Sequence, residues 1–148
     1  MIPESKLIES EVLIRKSRLP NDVLLTRKST IRWLALSLGL INPNETRTVL
    51  IDLLDALFDL HYADSQPSTK DILAKMKEKT GEEQNPKAIY YHLQRLMDGG
   101  ILNRKKGTYF FGDGDEKKLS VIFRSLYETR MNSAFSDIEK AFSRISEG

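Results

Sequence analysis

The stretch KAIYYHLQRLMDGGIL, residues 87–102, groups side chains that donate and accept hydrogen bonds. If it forms a helix, its apolar residues fall on one side, because side chains three and four positions apart share a face. The opposite side then carries Lys87, Ala88, Tyr91, Gln94 and Arg95, with Tyr90 and His92 at its flanks. An amide and a guanidinium on one helix face suit recognition by hydrogen bonding and charge, the chemistry by which proteins contact base edges and phosphates.

The side chains of this face would have distinct partners in the major groove of duplex DNA, which admits one α-helix. Gln94 can form a bidentate pair with adenine, and Arg95 can reach guanine or a phosphate. The small Ala88 permits close approach or contact with a thymine methyl group, and Lys87 is placed for a phosphate. The residues of this helix that we expect to contact double-stranded DNA are Lys87, Ala88, Tyr90, Tyr91, Gln94 and Arg95.

A basic hairpin is predicted directly after this helix. Residues 101–104 and 108–111 have the composition of two strands, and Lys105, Lys106 and Gly107 that of a tight turn. Residues 85–111 carry five basic and one acidic side chain, although the whole chain has a net charge of only +2. Local charge is what a phosphate backbone feels. We therefore expect the hairpin to meet the adjacent backbone or minor groove through Arg104, Lys105 and Lys106.

Sequence signals mark both ends of this helix. Asn85 is a good cap, and Pro86 suits the first helical position, where a missing N–H costs nothing. Two glycines, Gly99–Gly100, end it. Each residue also has an ordinary structural interpretation: a basic helix face is often only solvated, Tyr90 can pack under the hairpin, and His92 can be a hydrogen-bonded residue at the flank. The coincidence of cap, glycine stop and basic hairpin in one window favours DNA binding.

Three further helices are predicted before this one. Residues 27–40 and 46–61 are apolar at helical spacing, and Asn44 can cap the second of them. Ser68 with Asp71 resembles a capping box, so a third helix is expected to begin there. Asp52, Asp55 and Asp59 share the polar face of the segment at 46–61. Loops offer a hard cation better oxygen geometry than a helix does, so we interpret these aspartates as a solvated face.

The order of three helices and a hairpin over residues 46–111 resembles the winged helix-turn-helix regulators of the ArsR and PadR kind. The segment IYYHLQRLMDGGIL is similar to their recognition helix, with its histidine–leucine core, a following leucine and one or two glycines. The resemblance implies a mainly α fold with a small β-hairpin, in which a winged helix-turn-helix core carries helical N- and C-terminal extensions. We divide the chain into an N-terminal helical extension (1–43), a winged helix DNA-binding domain (44–112) and a C-terminal helical tail (113–148).

Such regulators bind DNA as homodimers, and the resemblance implies an interface formed by helices outside the winged core. One candidate is the second apolar stripe of the helix at 27–40, which either meets a partner or is covered by the N-terminal segment of its own chain. The other is the tail, which has a coiled-coil spacing near its end and a bend or offset expected at residues 129–132. The expected dimer residues are Trp33, Leu36, Leu40, Leu119, Ile122, Leu126, Phe135, Ile138 and Phe142.

Composition excludes several classes of function. The chain has no cysteine and only two histidines, and it has neither a glycine-rich phosphate loop nor a nucleophile–base arrangement. We expect a cytoplasmic protein that is not an enzyme and has no cofactor or metal, with room for a small-molecule effector in a pocket near Trp33. A protein-docking winged helix in a transcription assembly or another multi-subunit assembly is the alternative, in which Tyr91 and Gln94 would contact protein.

Overall fold

The structure, a computed structural model, describes all 148 residues. The chain is mainly helical, with one antiparallel hairpin of two strands. Its helices are α1 (Glu4–Leu7), α2 (Arg27–Ser37), α3 (Val49–Tyr62), α4 (Thr69–Thr80), α5 (Pro86–Asp98) and α6 (Leu119–Ser146), with a 3₁₀ turn at Asn21–Leu25. The strands are β1 (Leu102–Lys105) and β2 (Thr108–Phe111). No helix combines the length and apolar character that crossing a bilayer requires.

Helix α3 is the centre of the hydrophobic core. Seven of its residues are buried: Leu50, Ile51, Leu53, Leu54, Ala56, Leu57 and Phe58. Helices α2, α4 and α5 all contact it. At its C-terminal end the ring of Phe58 stacks on that of Phe111, with 5.6 Å between ring centroids, so the hairpin closes the same core. Because α3 is apolar on most of its circumference, the other elements are arranged around it.

The acidic edge of α3 is covered by two cations, contrary to the prediction of a solvated face. Arg27 of α2 pairs with Asp55 and, at 2.7 Å, with Asp59, while Lys79 of α4 contacts both carboxylates. Partial burial alone would raise the pKa of Asp59, but the hydrogen bond from Lys79 and the charges of Arg27 and Lys79 hold it below its ordinary value. Asp55 and Asp59 therefore attach α2 and α4 to α3, whereas Asp52 forms no ion pair.

The limits of α4 and α5 confirm several predictions from sequence. Ser68 and Asp71 form a capping box at the start of α4, which ends at Gly81 in the left-handed conformation. Asn85 accepts a hydrogen bond from the backbone N–H of Lys87, and Pro86 is the first residue of α5. Helix α3, however, begins at Val49 after Thr48 rather than after Asn44, which has a positive φ of 64°. Asn44 lies in a turn of the preceding loop and caps nothing.

The two glycines after α5 have different roles. Gly99 is the C-cap of α5, and Gly100 has a positive φ of 73°. The backbone N–H groups of Gly100 and Ile101 donate to the carbonyls of Met97 and Leu96. This arrangement is a Schellman motif, which favours glycine at the left-handed position. It turns the chain into β1, so only three residues separate the end of α5 from the first strand of the hairpin.

The N-terminal segment folds over α2 of its own chain, which decides between the two alternatives for the apolar face around Trp33. The Trp33 indole N–H donates to the carbonyl of Arg18 at 2.6 Å, and the Arg15 guanidinium donates to the carbonyls of Leu36 and Ile41. Helix α2 ends at Ser37 rather than at residue 40, because Gly39 adopts a positive φ of 74°. A β-carbon at Gly39 would lie 3.0 Å from Leu13 of the covering segment.

Helix α6 has a buried half and an exposed half. Ile122 is buried in the core, Leu119, Phe123 and Leu126 pack against it, and the Tyr127 hydroxyl donates to the carbonyl of Leu38 at 2.7 Å. Every residue from 131 onward is exposed. The helix is not interrupted at residues 129–132; instead, the apolar stripe moves roughly a third of the way around the helix axis. That shift of phase leaves the second stripe uncovered.

The paired aspartates predict a pH-dependent stability. Replacement Asp59→Asn removes one of two acceptors for Arg27 and Lys79, and we expect the free energy of unfolding to fall by about 1 kcal/mol near neutral pH. The folded pKa of Asp59 lies below its unfolded value of about 3.9, so its contribution is present above that value and is lost as pH falls through the folded pKa. Urea unfolding across this range measures the difference between wild type and variant.

The matched control is Asp137→Asn, which removes an exposed carboxylate from the free half of α6. It should change stability by less than about 0.5 kcal/mol at any pH. A loss for Asp59→Asn that is equal at neutral and acidic pH would contradict the assignment of the ion pairs.

Candidate nucleic-acid interface

Helix α5 has its large aliphatic residues and most of its polar residues on opposite faces. Ile89, Leu93 and Leu96 are buried in the core. The predicted contact residues Lys87, Tyr90, Tyr91, Gln94 and Arg95 are all exposed, whereas Ala88 is half-buried. The structure thus places five of the six predicted contact residues together on one solvent-facing surface, and Ala88 lies at the border of that surface. Tyr90 is 51% exposed, so it does not pack under the hairpin.

The exposed side chains of α5 contact one another. The Arg95 guanidinium lies 5.8 Å from the centroid of the Tyr91 ring, a cation–π arrangement that orients the charge without neutralising it. The Gln94 amide donates to Asp98 at 2.8 Å. Asp98, which the sequence analysis did not include in the surface, therefore occupies one donor of Gln94 and lowers the local positive charge. The side-chain oxygen of Gln94 is an acceptor on the same exposed face.

His92 lies at the flank of this surface, as predicted, but without the expected hydrogen bond at one ring nitrogen. Its Nδ1 is buried and has no partner. Burial lowers the pKa of His92, and the charges of Arg95 and Arg47 lower it further, while Glu45 opposes them. The positive charge of Arg47 thus acts on the flank of α5. Arg47 was not predicted to lie near this surface, because its only signal in the sequence is a basic residue just before α3.

The hairpin holds its basic residues in different ways. The Arg104 guanidinium lies 5.2 Å from the centroid of the buried Tyr109 ring. Lys105 and Lys106 are exposed at the tip. Tyr109 also anchors the hairpin to α4: its backbone N–H donates to the carbonyl of Pro67 at 2.8 Å, and its hydroxyl accepts from Thr69 at 3.2 Å. The hairpin is therefore hydrogen-bonded to the start of α4, and its two lysines lie at the exposed tip.

The turn of the hairpin is shorter than predicted. Lys105, the last residue of β1, pairs with Thr108, the first residue of β2, so only Lys106 and Gly107 form the turn. Both have positive φ, 53° and 81°. This geometry is that of a type I′ turn, whose twist matches the flanking strands. Lys106 adopts a backbone conformation that Asn or Gly adopts more readily.

The expected dimer residues fall into two groups. Ile122 is buried in the core of its own chain, and Leu36, Leu40, Leu119 and Leu126 pack against that core. The prediction that Ile122 lines an interface between copies is therefore wrong, because its side chain is buried among residues of its own chain. The remaining residues of the tail are uncovered: Phe135, Ile138 and Phe142. Trp33 is half-buried under the N-terminal segment.

Comparisons with protein-family models, with curated proteins and with solved structures found no match. Within the chain, no three His, Asp or Glu side chains are grouped so that they could hold a metal ion.

Replacement of Lys106 separates the charge of the hairpin from its fold. Lys106→Asn places the favoured Asn-Gly pair in the type I′ turn, so we expect thermal stability to be unchanged or raised by up to about 1 kcal/mol. The same change removes one positive charge from the tip. A thermal melt followed by circular dichroism measures the effect, and Lys105→Asn, in a strand position with no positive φ, serves as the control. A destabilisation of Lys106→Asn larger than that of Lys105→Asn would contradict the turn geometry.

Proposed function

We propose that this chain is a sequence-specific double-stranded DNA-binding transcriptional regulator that acts as a homodimer. In this proposal α3, α4, α5 and the hairpin form a winged helix-turn-helix, with α5 in the major groove and the hairpin on the adjacent backbone. The observation that carries it is the exposed face of α5, where polar and basic side chains are gathered beside a basic hairpin. Its first-turn lysine and the two lysines of the tip suit phosphates, and Gln94 and Arg95 suit base edges.

The charge distribution supports the same surface. Residues 85–111 carry five basic side chains against one acidic, Asp98. Of the acidic residues of α3, Asp55 and Asp59 are paired with Arg27 and Lys79. A nearly neutral protein that concentrates positive charge on one exposed helix and hairpin is suited to bind DNA with that face.

The uncovered end of α6 supports the homodimer. Met131, Phe135, Ile138, Phe142 and Ile145 follow one another at alternating intervals of four and three residues, the spacing of a coiled-coil seam. Phe135 and Phe142 are 51% and 67% exposed. At about 200 Å² for a phenylalanine side chain, these two alone present roughly 240 Å² of apolar surface per chain. Met131, Ile138 and Ile145 are exposed as well, so the whole stripe reaches the few hundred Å² at which exposed apolar patches mark interaction sites.

A protein-docking role for α5 is the second candidate, and the two exposed tyrosines favour it. Tyr90 and Tyr91 are 51% and 62% exposed, and aromatic residues are enriched in protein interfaces. Asp98 beside Gln94 also adds a negative charge that a phosphate backbone does not favour. The two candidates differ in the role of Lys105 and Lys106, which contact phosphates in the first and only solubilise the chain in the second.

Salt dependence distinguishes the candidates. We expect the protein to bind a fluorescent random-sequence duplex, with log affinity falling linearly as log salt rises. Lys87→Ala, Arg95→Ala and Lys105→Ala should each reduce that slope by about one, because each removes one positive charge that displaces a counterion from the DNA. Lys140→Ala, an exposed lysine on the free half of α6, is the control and should leave the slope unchanged. No binding at low salt, or equal effects of all four variants, would contradict DNA binding through α5 and the hairpin.

The dimer is tested on the tail alone. We expect light scattering to show two chains for the wild type and one for the double variant Phe135→Ser with Phe142→Ser, which removes the two largest side chains of the seam. The matched control replaces Lys140 and Arg144, on the opposite face of the same helix turns, by serine, and it should remain a dimer. If the wild type is monomeric, or if both double variants dissociate equally, the seam is not the interface.

A further inference from the structure

A cavity of about 450 Å³ lies where the N-terminal extension, the end of α3 and the beginning of α6 meet. Its apolar lining includes Leu24, Ile31, Leu34, Phe58, Leu119 and Phe123. This volume is within the range of small-molecule sites, roughly 300–1,000 Å³, and such sites are mostly apolar with a few polar groups. We propose that the cavity binds a neutral, ring-bearing apolar small molecule.

The walls of the cavity are already in place without a ligand. Ile31 and Phe58 belong to the buried core. Behind the cavity, the ring of Phe111 lies 5.6 Å from that of Phe58 and 5.9 Å from that of Phe123, so the two lining rings are held by a common neighbour. Rings held in this way offer flat apolar surfaces against which an aromatic ligand can stack.

The charge of the lining favours a neutral ligand. Arg27 is the only charged residue among the twelve that line the cavity. Its guanidinium is paired with Asp55 and, at 2.7 Å, with Asp59, so it has no unpaired charge to offer an anion. The other polar lining residues are Thr26, Thr30, Tyr62 and Ser120, which carry hydroxyl groups. Tyr62 and Ser120 are exposed, so hydrogen bonds to the ligand would form toward solvent.

The second copy that we propose for the tail is not the expected occupant of the cavity. The exposed apolar stripe of α6 begins at Met131, eleven residues after Ser120. Between them Arg124 and Glu128 form an ion pair on the surface of the same helix, where an apolar seam would have to continue. The cavity is thus separated from the stripe by charged side chains, and its lining residues all belong to one chain.

A bound ligand would touch both α2 and the first turn of α6, and would therefore hold the tail helix against the domain. If the proposed function holds, this contact gives the ligand a route to change the spacing of the two α5 helices in the dimer. Binding itself does not depend on that function, since the cavity lies within one chain and no DNA is needed to measure it.

The probe N-phenyl-1-naphthylamine, which is neutral, aromatic and fluorescent in apolar surroundings, tests the site with the full chain and no DNA. We expect saturable binding of one probe per chain. Ser120→Phe, at an exposed lining position, and Leu24→Glu, which places a charge at a half-exposed one, should each weaken it by about tenfold or more. Ser133→Phe makes the same serine change on an exposed part of α6 far from the cavity, and should bind as wild type.

Each other outcome overturns the proposal. No saturable binding, or wild-type binding by folded Ser120→Phe and Leu24→Glu, excludes the cavity as the site. Loss of binding on replacement of Phe135 and Phe142 by serine, with Ser120→Phe unaffected, would place the probe on the exposed stripe. Conversion of the chain from dimer to monomer by Ser120→Phe alone would mean that a second copy occupies the cavity. Failure of DNA binding leaves the assay unchanged, so the two proposals fail separately.

Discussion

The arrangement of the chain depends on the burial of α3. Half of its residues are in the core, and α2, α4 and α5 reach the core by packing against it. Only its acidic edge cannot be buried alone, because an unpaired carboxylate in a partly dry site is costly. Arg27 and Lys79 meet this requirement from the two neighbouring helices. The same ion pairs neutralise the cation that lines the cavity, so one constraint positions the helices and determines which ligand the cavity suits.

The end of α5 connects the candidate interface to the tail. Gly100 turns the chain from α5 into the hairpin, and a β-carbon there would lie 2.7 Å from the Arg130 guanidinium and 3.3 Å from Leu126. Helix α6 thus passes directly over the C-terminal end of the helix that we propose for DNA recognition. Between Leu126 and Arg130, the Tyr127 hydroxyl donates to the carbonyl of Leu38 and holds α6 to the end of α2.

Local signals in the sequence were sufficient to predict where the helices around the candidate site begin and end. The cap at Asn85, the capping box at Ser68 and the glycine stop after α5 are all read from neighbouring residues, and each is present in the structure. These signals work because a cap or a left-handed turn depends on the conformation of a few consecutive residues. The exposed face of α5 followed from the spacing of its apolar residues for the same reason.

Features that depend on distant partners were not predictable in this way. The spacing of Asp55 and Asp59 shows that they share a face, but not that Arg27 and Lys79 approach it from elsewhere in the chain. The sequence likewise does not show what covers Trp33, because the backbone carbonyl that accepts its indole N–H belongs to Arg18, fifteen residues earlier. Ile122 and Phe135 are both apolar residues of α6, yet only the packing shows that the first is buried and the second is exposed.

The most direct test of sequence-specific binding is selection of duplexes from a random pool by the wild-type protein, compared with Gln94→Ala. The account predicts an enriched motif with two-fold symmetry, its half-sites about one helical turn apart or a multiple of it, and a relaxed preference at one base position per half-site in the variant. A protein that retains duplexes without enriching any sequence, or that retains none, would contradict the claim that α5 reads base edges.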